Sequence, residues 1–121
     1  MRVMVMGGRH FTETTFVAGI LDRIHQRYPV TTLVLTDAAT GVAAIARIWA
    51  VENEVPVESF LIDWKTYGKT AGRICCRQML SSEPDLVVIY PGGELTTFCR
   101  DLARKASLPL FQPVHWKKTP G

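Results

Sequence analysis

Along this chain, short apolar runs alternate with longer stretches in which apolar residues recur every three or four positions. The runs are Val3–Met6, Thr32–Leu35, Val57–Ile62 and Leu86–Tyr90. They are brief and rich in β-branched residues, which predicts strands, and their near-continuous apolar character suits a sheet covered on both faces. Leu108 to Phe111, bounded by Pro109 and Pro113, predicts a fifth strand at a sheet edge, because proline cannot donate to a central ladder. Between the runs, Val17, Ile20, Leu21, Ile24 and Tyr28 keep helical spacing, with Thr12 as the expected N-cap. Val42, Ile45, Ala46 and Trp49 keep it too, as do Cys99, Leu102, Ala103 and Ala106. A weaker helical pattern covers residues 69–80. Strand–helix alternation of this kind implies a parallel sheet with right-handed crossovers and helices on both faces. The expected fold is therefore α/β: a small Rossmann-like three-layer sandwich of about five parallel strands, in the order 3-2-1-4-5.

Length and composition narrow the picture. With 121 residues the chain is expected to form one domain over residues 1–116, followed by a frayed tail at 117–121. Apolar residues at 47% and charged residues at 21% exclude wholesale disorder. The 14 Lys and Arg against 11 Asp and Glu leave a net charge of +3, spread without a basic run, which does not point to nucleic acid. No apolar stretch approaches the length of a membrane span, and Met1–Met6 meets Gly7-Gly8-Arg9 too soon for a secretory signal. Three cysteines, Cys75 and Cys76 adjacent, show neither a disulfide framework nor metal-ligand spacing. The expectation is a reduced, cytoplasmic protein with no cofactor and no metal, in which Cys75 and Cys76 are small buried apolar groups. His25 and His115 read as surface residues. A homo-oligomer is the common assembly of such domains, but no sequence feature marks an interface.

Candidate chemistry collects in the loops that follow strands, since ligands of open α/β sheets bind beyond the carboxyl ends of the strands. Four such loops stand out: Gly7–Phe11, Thr36–Gly41, Asp63–Gly72 and Pro91–Thr96, and seven of the nine glycines lie in them. Glycine lets the backbone approach a ligand, and a helix opening behind the loop offers free N–H groups to an anion. In the expected strand order the two Gly-Gly loops, after strands one and four, lie side by side. Arg9, directly after Gly7-Gly8, is suited to a phosphate or carboxylate. Trp64 and Tyr67 read either as packing residues or as a stacking platform, and His10 as a polar contact.

Taken together, these loops resemble the SLOG superfamily of small Rossmann-like proteins, in the single-domain subgroup named after YspA and related to YpsA. The resemblance rests on Gly7-Gly8-Arg9-x-Phe11, Trp49-Ala50, Asp63-Trp64-Lys65-x-Tyr67-Gly68-Lys69-x-Ala71-Gly72, Met79-Leu80 and Leu86-Val87-Val88-Ile89-x-Pro91-Gly92-Gly93 with Thr96. It spans residues 2–113. It implies a pocket for a nucleotide or nucleotide-derived ligand, because the superfamily includes cytokinin-activating phosphoribohydrolases and nucleotide-sensing domains. The expected ligand-binding residues are Gly7, Gly8, Arg9, Asp37, Gly41, Trp64, Gly68, Lys69, Gly72, Gly92, Gly93 and Thr96.

Several positions depart from the pattern of the family. Ala43 stands where an acidic residue is usual, and Cys75-Cys76 replaces an Arg-Asn pair. Leu95 replaces the last glycine of Pro-Gly-Gly-x-Gly-Thr, where a branched side chain takes up space and disfavours positive φ. Cys99 stands where the phosphoribohydrolases carry a glutamate that projects into the pocket. A thiol cannot supply that carboxylate. The expected function is binding without turnover, as a sensor or sequestering module. The alternatives are a glycosidic-bond hydrolase that uses Asp37 or Glu94 instead, and a degenerate interaction protein without a ligand.

Overall fold

The structure is a computed structural model and describes residues 1–114; His115 and the segment 117–121 lie outside the described residues. Five strands, β1 (Arg2–Met6), β2 (Thr32–Thr36), β3 (Val57–Phe60), β4 (Leu86–Ile89) and β5 (Leu110–Phe111), form one sheet in the order β3-β2-β1-β4-β5. Every pairing is parallel, with Val3 beside Leu33 on one side and Leu86 on the other. The main helices are α1 (Thr14–Arg27) and α2 (Gly41–Glu52), then, after the single turn α3 (Trp64–Tyr67) and a 3-10 turn at Gly68–Thr70, α4 (Ala71–Ser81) and α5 (Glu94–Lys105).

The alternation of side chains along β1 and β4 sorts the core into two halves. Val3, Val5, Val88 and Tyr90 face Val17, Leu21, Val42, Ala46 and Trp49 of α1 and α2. Met4, Met6, Val87 and Ile89 face Cys75, Cys76, Met79, Cys99 and Ala103 of α4 and α5. Helices thus cover both faces, as the apolar runs imply. Tyr90 is fully buried and donates its hydroxyl to the Val17 carbonyl at 2.9 Å, tying the end of β4 to α1. Among the described residues, no helix is long and apolar enough to cross a membrane.

Four local expectations change. Thr12 does not cap α1: Glu13 takes the cap position, without a side-chain hydrogen bond, and the Thr12 carbonyl accepts from Thr14 N instead. β3 ends at Phe60 rather than Ile62, because its partner β2 ends at Thr36 and Leu61 turns out to solvent. His25 is structural: its Nδ1 accepts from Val30 N at 3.0 Å and its ring meets Trp49 edge-on, while Trp49 Nε1 donates to Asp22.

The fourth change concerns the cysteines. Cys76 on α4 and Cys99 on α5 form a disulfide, with their Cα atoms 5.9 Å apart. Spacing along the chain carried no sign of it, because α4 and α5 become neighbours only by packing on the same face of the sheet. Cys75 is the free cysteine; burial first, and then the charge of Asp37, push its thiol up to about 11. Such a thiol stays protonated and unreactive. We expect a maleimide reagent to label one thiol per chain in denatured, unreduced protein and three after reduction, read by mass spectrometry. Three labels without reduction would show the helices held by packing alone.

Candidate functional site

A parallel sheet in this order has one place where consecutive connections part to opposite faces, between β1 and β4. A cleft of about 1160 Å³ opens there, at the carboxyl ends of the strands. Its walls come from the β1 loop (Gly7 to Phe11), the β2 loop (Thr36 to Thr40), Ile62 and Trp64 after β3, and Pro91 to Thr96 after β4.

The two glycine loops touch. Gly8 N donates to the Pro91 carbonyl at 2.8 Å, and the Gly8 carbonyl accepts from Phe11 N and Val42 N. A Cβ on Gly92 would lie 2.3 Å from Thr96 Oγ1 and 2.7 Å from Gly8 N, so only glycine fits this contact. Gly41 has φ +73 and lies against the Gly8 and Arg9 backbone, which makes glycine necessary at the start of α2. The loops differ in what they offer an anion. The β4 loop runs straight into α5, whose first intrahelical bond is Thr97 N to the Gly93 carbonyl, leaving the N–H groups of Glu94, Leu95 and Thr96 outside the helical ladder. The β1 loop does not open a helix at the cleft, because α1 starts only at Thr14. Its contributions are the close backbone and the exposed side chain of Arg9.

Thr96 is 5% exposed, lines the cleft, and its hydroxyl has no hydrogen-bond partner among the described residues. Asp37 is held at both ends of the residue: its N donates to the Phe60 carbonyl at 3.0 Å and its Oδ1 accepts from Ile62 N at 3.1 Å. Arg47, which the sequence reading passed over, braces the same loop from α2. It donates to the carbonyls of Thr36 (2.8 Å) and Ala38 (3.3 Å) and to Ser59 Oγ. The signal available was a lone charge inside the otherwise apolar stretch 41–51.

Of the expected ligand-binding residues, the structure brings Gly7, Gly8, Arg9, Asp37, Trp64, Gly92, Gly93 and Thr96 to the cleft. Gly41 supports it from behind. Gly68 and Lys69 lie in the exposed 3-10 turn, away from the cleft walls. Gly72 is buried on α4 against the Leu95 side chain, which a Cβ there would approach to 2.9 Å. Leu95 itself sits in the first turn of α5 without a positive φ, so the expected backbone conflict does not arise. Cys99 does not project into the cleft; it is fully buried and bonded to Cys76. Ala43 lines the cleft, and no carboxylate stands there.

The fold and this paired-loop cleft define a small Rossmann-like α/β protein with a cleft at the switch between β1 and β4. Residues 1–67 match the YspA, cpYpsA-related SLOG family. The chain is also 32% identical over 118 residues to the Gene 61 protein of Mycobacterium phage D29, covering 91% of this chain and 94% of that protein. The chain belongs to the YspA, cpYpsA-related SLOG family.

Two neighbouring glycines should respond differently. Gly92→Ala forces the Thr96 hydroxyl and Gly8 apart, an overpacking expected to cost about 1–3 kcal/mol. At Gly93, the N-cap of α5, a Cβ meets nothing within 4 Å, so Gly93→Ala should cost only the poorer cap, about 1 kcal/mol or less. Chemical denaturation of the two variants checks this.

Proposed function

We propose that the protein binds a nucleotide or nucleotide-derived small ligand in this cleft and does not turn it over, acting as a sensor or a sequestering module. The observation that carries the reading is Thr96: a residue only 5% exposed that lines the cleft, whose hydroxyl has no hydrogen-bond partner among the described residues, at the open N-terminus of the twelve-residue helix α5. Free N–H groups, a helix dipole and a hydroxyl at one point favour an anion such as a phosphate. Arg9, on the facing loop, supplies a positive charge that no carboxylate among the described residues neutralises. Family membership is consistent with a nucleotide-related ligand. The reading calls for neither a membrane nor a nucleic acid as partner.

Two positions at or near the cleft lack the carboxylates that would support turnover. Position 99 is a cysteine buried against α4, and position 43 is an alanine on the cleft wall. Two carboxylates remain at the cleft, Asp37 and Glu94. Asp37 has one oxygen engaged by Ile62 N, and Glu94 is exposed on the first turn of α5. Loss of general acid–base help commonly lowers rates by about 10²–10⁴-fold.

Two measurements test this. A thermal-shift series with nucleoside mono-, di- and triphosphates should show saturable stabilisation, about 2.7 kcal/mol at a hundredfold excess over Kd. Arg9→Ala should weaken that binding by about 1.5–3 kcal/mol while leaving the unfolding midpoint of the free protein nearly unchanged. Equal affinity in the variant would remove Arg9 from the site. Incubation with adenosine and cytidine monophosphates should release no free base above a buffer control. Release that is abolished by Asp37→Ala or Glu94→Ala would instead establish a hydrolase.

A further inference from the structure

We propose that the protein pairs with a second copy of itself along the outer edge of β3, antiparallel and about a two-fold axis through Ser59. The proposal does not depend on the nucleotide reading of the cleft.

The two edges of the sheet are unlike. β5 is two residues long and stands between Pro109 and Pro113, so it offers little to another strand. β3 contains no proline, no strand among the described residues pairs with its outer side, and Glu58, Ser59 and Leu61 are exposed. Its inner side fixes the direction of its peptide groups. Pro56 and Phe60 give their carbonyls to Leu33 N and Asp37 N, and Ile62 N donates to Asp37 Oδ1 on the same side. By alternation, the N–H and C=O groups of Val57, Ser59 and Leu61 point outward. Such a row of donors and acceptors is a template for another strand.

Antiparallel pairing about Ser59 engages all three residues. It sets Val57 against the partner's Leu61, Ser59 against the partner's Ser59, and Leu61 against the partner's Val57, with two hydrogen bonds at each pair. Side chains alternate along a strand, so Val57, Ser59 and Leu61 share one face of the sheet. On that face Leu61, which is 62% exposed, gains an apolar neighbour in the partner's Val57. Arg47 donates to Ser59 Oγ from the β2 side and stays there, held by the carbonyls of Thr36 and Ala38. On the other face Glu58, paired with Arg2 of its own chain, lies opposite the partner's Phe60. Moving the axis to Glu58 would instead set two glutamates against each other, which destabilises a strand pair.

The charges beyond the strand ends favour the same arrangement. Glu52 and Glu54 precede β3 and Lys65 follows it. All three are exposed, and none has an ion pair among the described residues. An antiparallel pair lays the start of one β3 beside the end of the other. Glu52 and Glu54 then come near the partner's Lys65, and the two-fold repeats that complementarity at the opposite end. A second copy of this chain therefore supplies both the matching backbone groups and the opposite charge.

Sedimentation velocity of the full chain without ligand, from about 1 to 200 µM, should show a reversible monomer–dimer equilibrium, as a small interface gives. Ser59→Cys should form a disulfide-linked dimer on copper–phenanthroline oxidation, because opposed Cα atoms at such a pair stand about 5.5 Å apart. The native cysteines do not compete, since Cys75 is buried and Cys76 is bonded to Cys99. Val57→Cys should not link, because in this register it lies roughly 13 Å along the strand from its own copy. Ser59→Pro removes an outward N–H and leaves the β2 side paired, so it should raise the dimer Kd at least about tenfold with the far-UV spectrum unchanged. Lys65→Glu should weaken the dimer about threefold, and adding Glu52→Lys and Glu54→Lys to it should restore the affinity. A chain that stays monomeric over the whole range would overturn the proposal. So would a dimer that Ser59→Pro leaves intact. If Ser59→Pro does not fold, the cysteine pair decides: linkage through Val57→Cys and not through Ser59→Cys, or through neither, would overturn the proposal as well.

Discussion

The backbone of Gly8 lies against that of Gly92, and much of the site depends on that contact. Parallel strands β1 and β4 are neighbours in the sheet although they are far apart in the chain, so their loops leave the sheet side by side. No side chain fits between them: a Cβ on Gly92 would collide with Thr96 Oγ1 and with Gly8 N. Gly8 spends its N–H on Pro91 and its carbonyl on Phe11 and Val42, which joins the β1 loop, the β4 loop and α2 at one point. The result is a cleft floor made of main chain, with the open end of α5 beside it. An anion can approach those N–H groups closely because nothing bulky stands in front of them.

The departures from the pattern of the family have a common consequence. Leu95 packs on Gly72, Cys99 bonds to Cys76, and Cys75 is buried beside the Phe60 carbonyl. Cys75 faces the end of β3, while Leu95, Cys76 and Cys99 form part of the interface between α4 and α5. That interface fixes how α5 leaves the sheet, and so where its N-terminal N–H groups point. Apolar packing fills this side of the cleft base, and Thr96 and the open N-terminus of α5 lie beside it.

The far side of the cleft is built differently, from side chains bonded to the main chain. Arg47 holds the carbonyls of Thr36 and Ala38, and Ile62 N holds Asp37. Three charge-assisted or carboxylate bonds of this kind make the β2 loop firm without glycine turns. One end of the cleft is thus shaped by the absence of side chains and the other by their hydrogen bonds.

The sequence by itself determined the type and order of the elements, because period-two and period-3.6 patterns are local and survive in any context. It also determined that two glycine loops and Arg9 follow strands, and from the alternation of elements came the strand order and the end of the sheet where a ligand belongs. Local punctuation was less legible: α2, α4 and α5 end on left-handed Glu54, Glu83 and Ser107 rather than on glycine. Only the tertiary structure decided which residues of the candidate set face one another. Gly68, Lys69 and Gly72 share a loop and helix start with Trp64, yet the 3-10 turn carries the first two outward and packing on Leu95 takes the third. Arg47, His25 and the Cys76–Cys99 pair acquired their roles from partners 11, 24 or 23 residues away, counted to Thr36, Trp49 and each other. Spacing along a chain does not encode such neighbours. They exist once strands pair and helices settle on a shared face, because the packing of the two core halves sets the distances between elements.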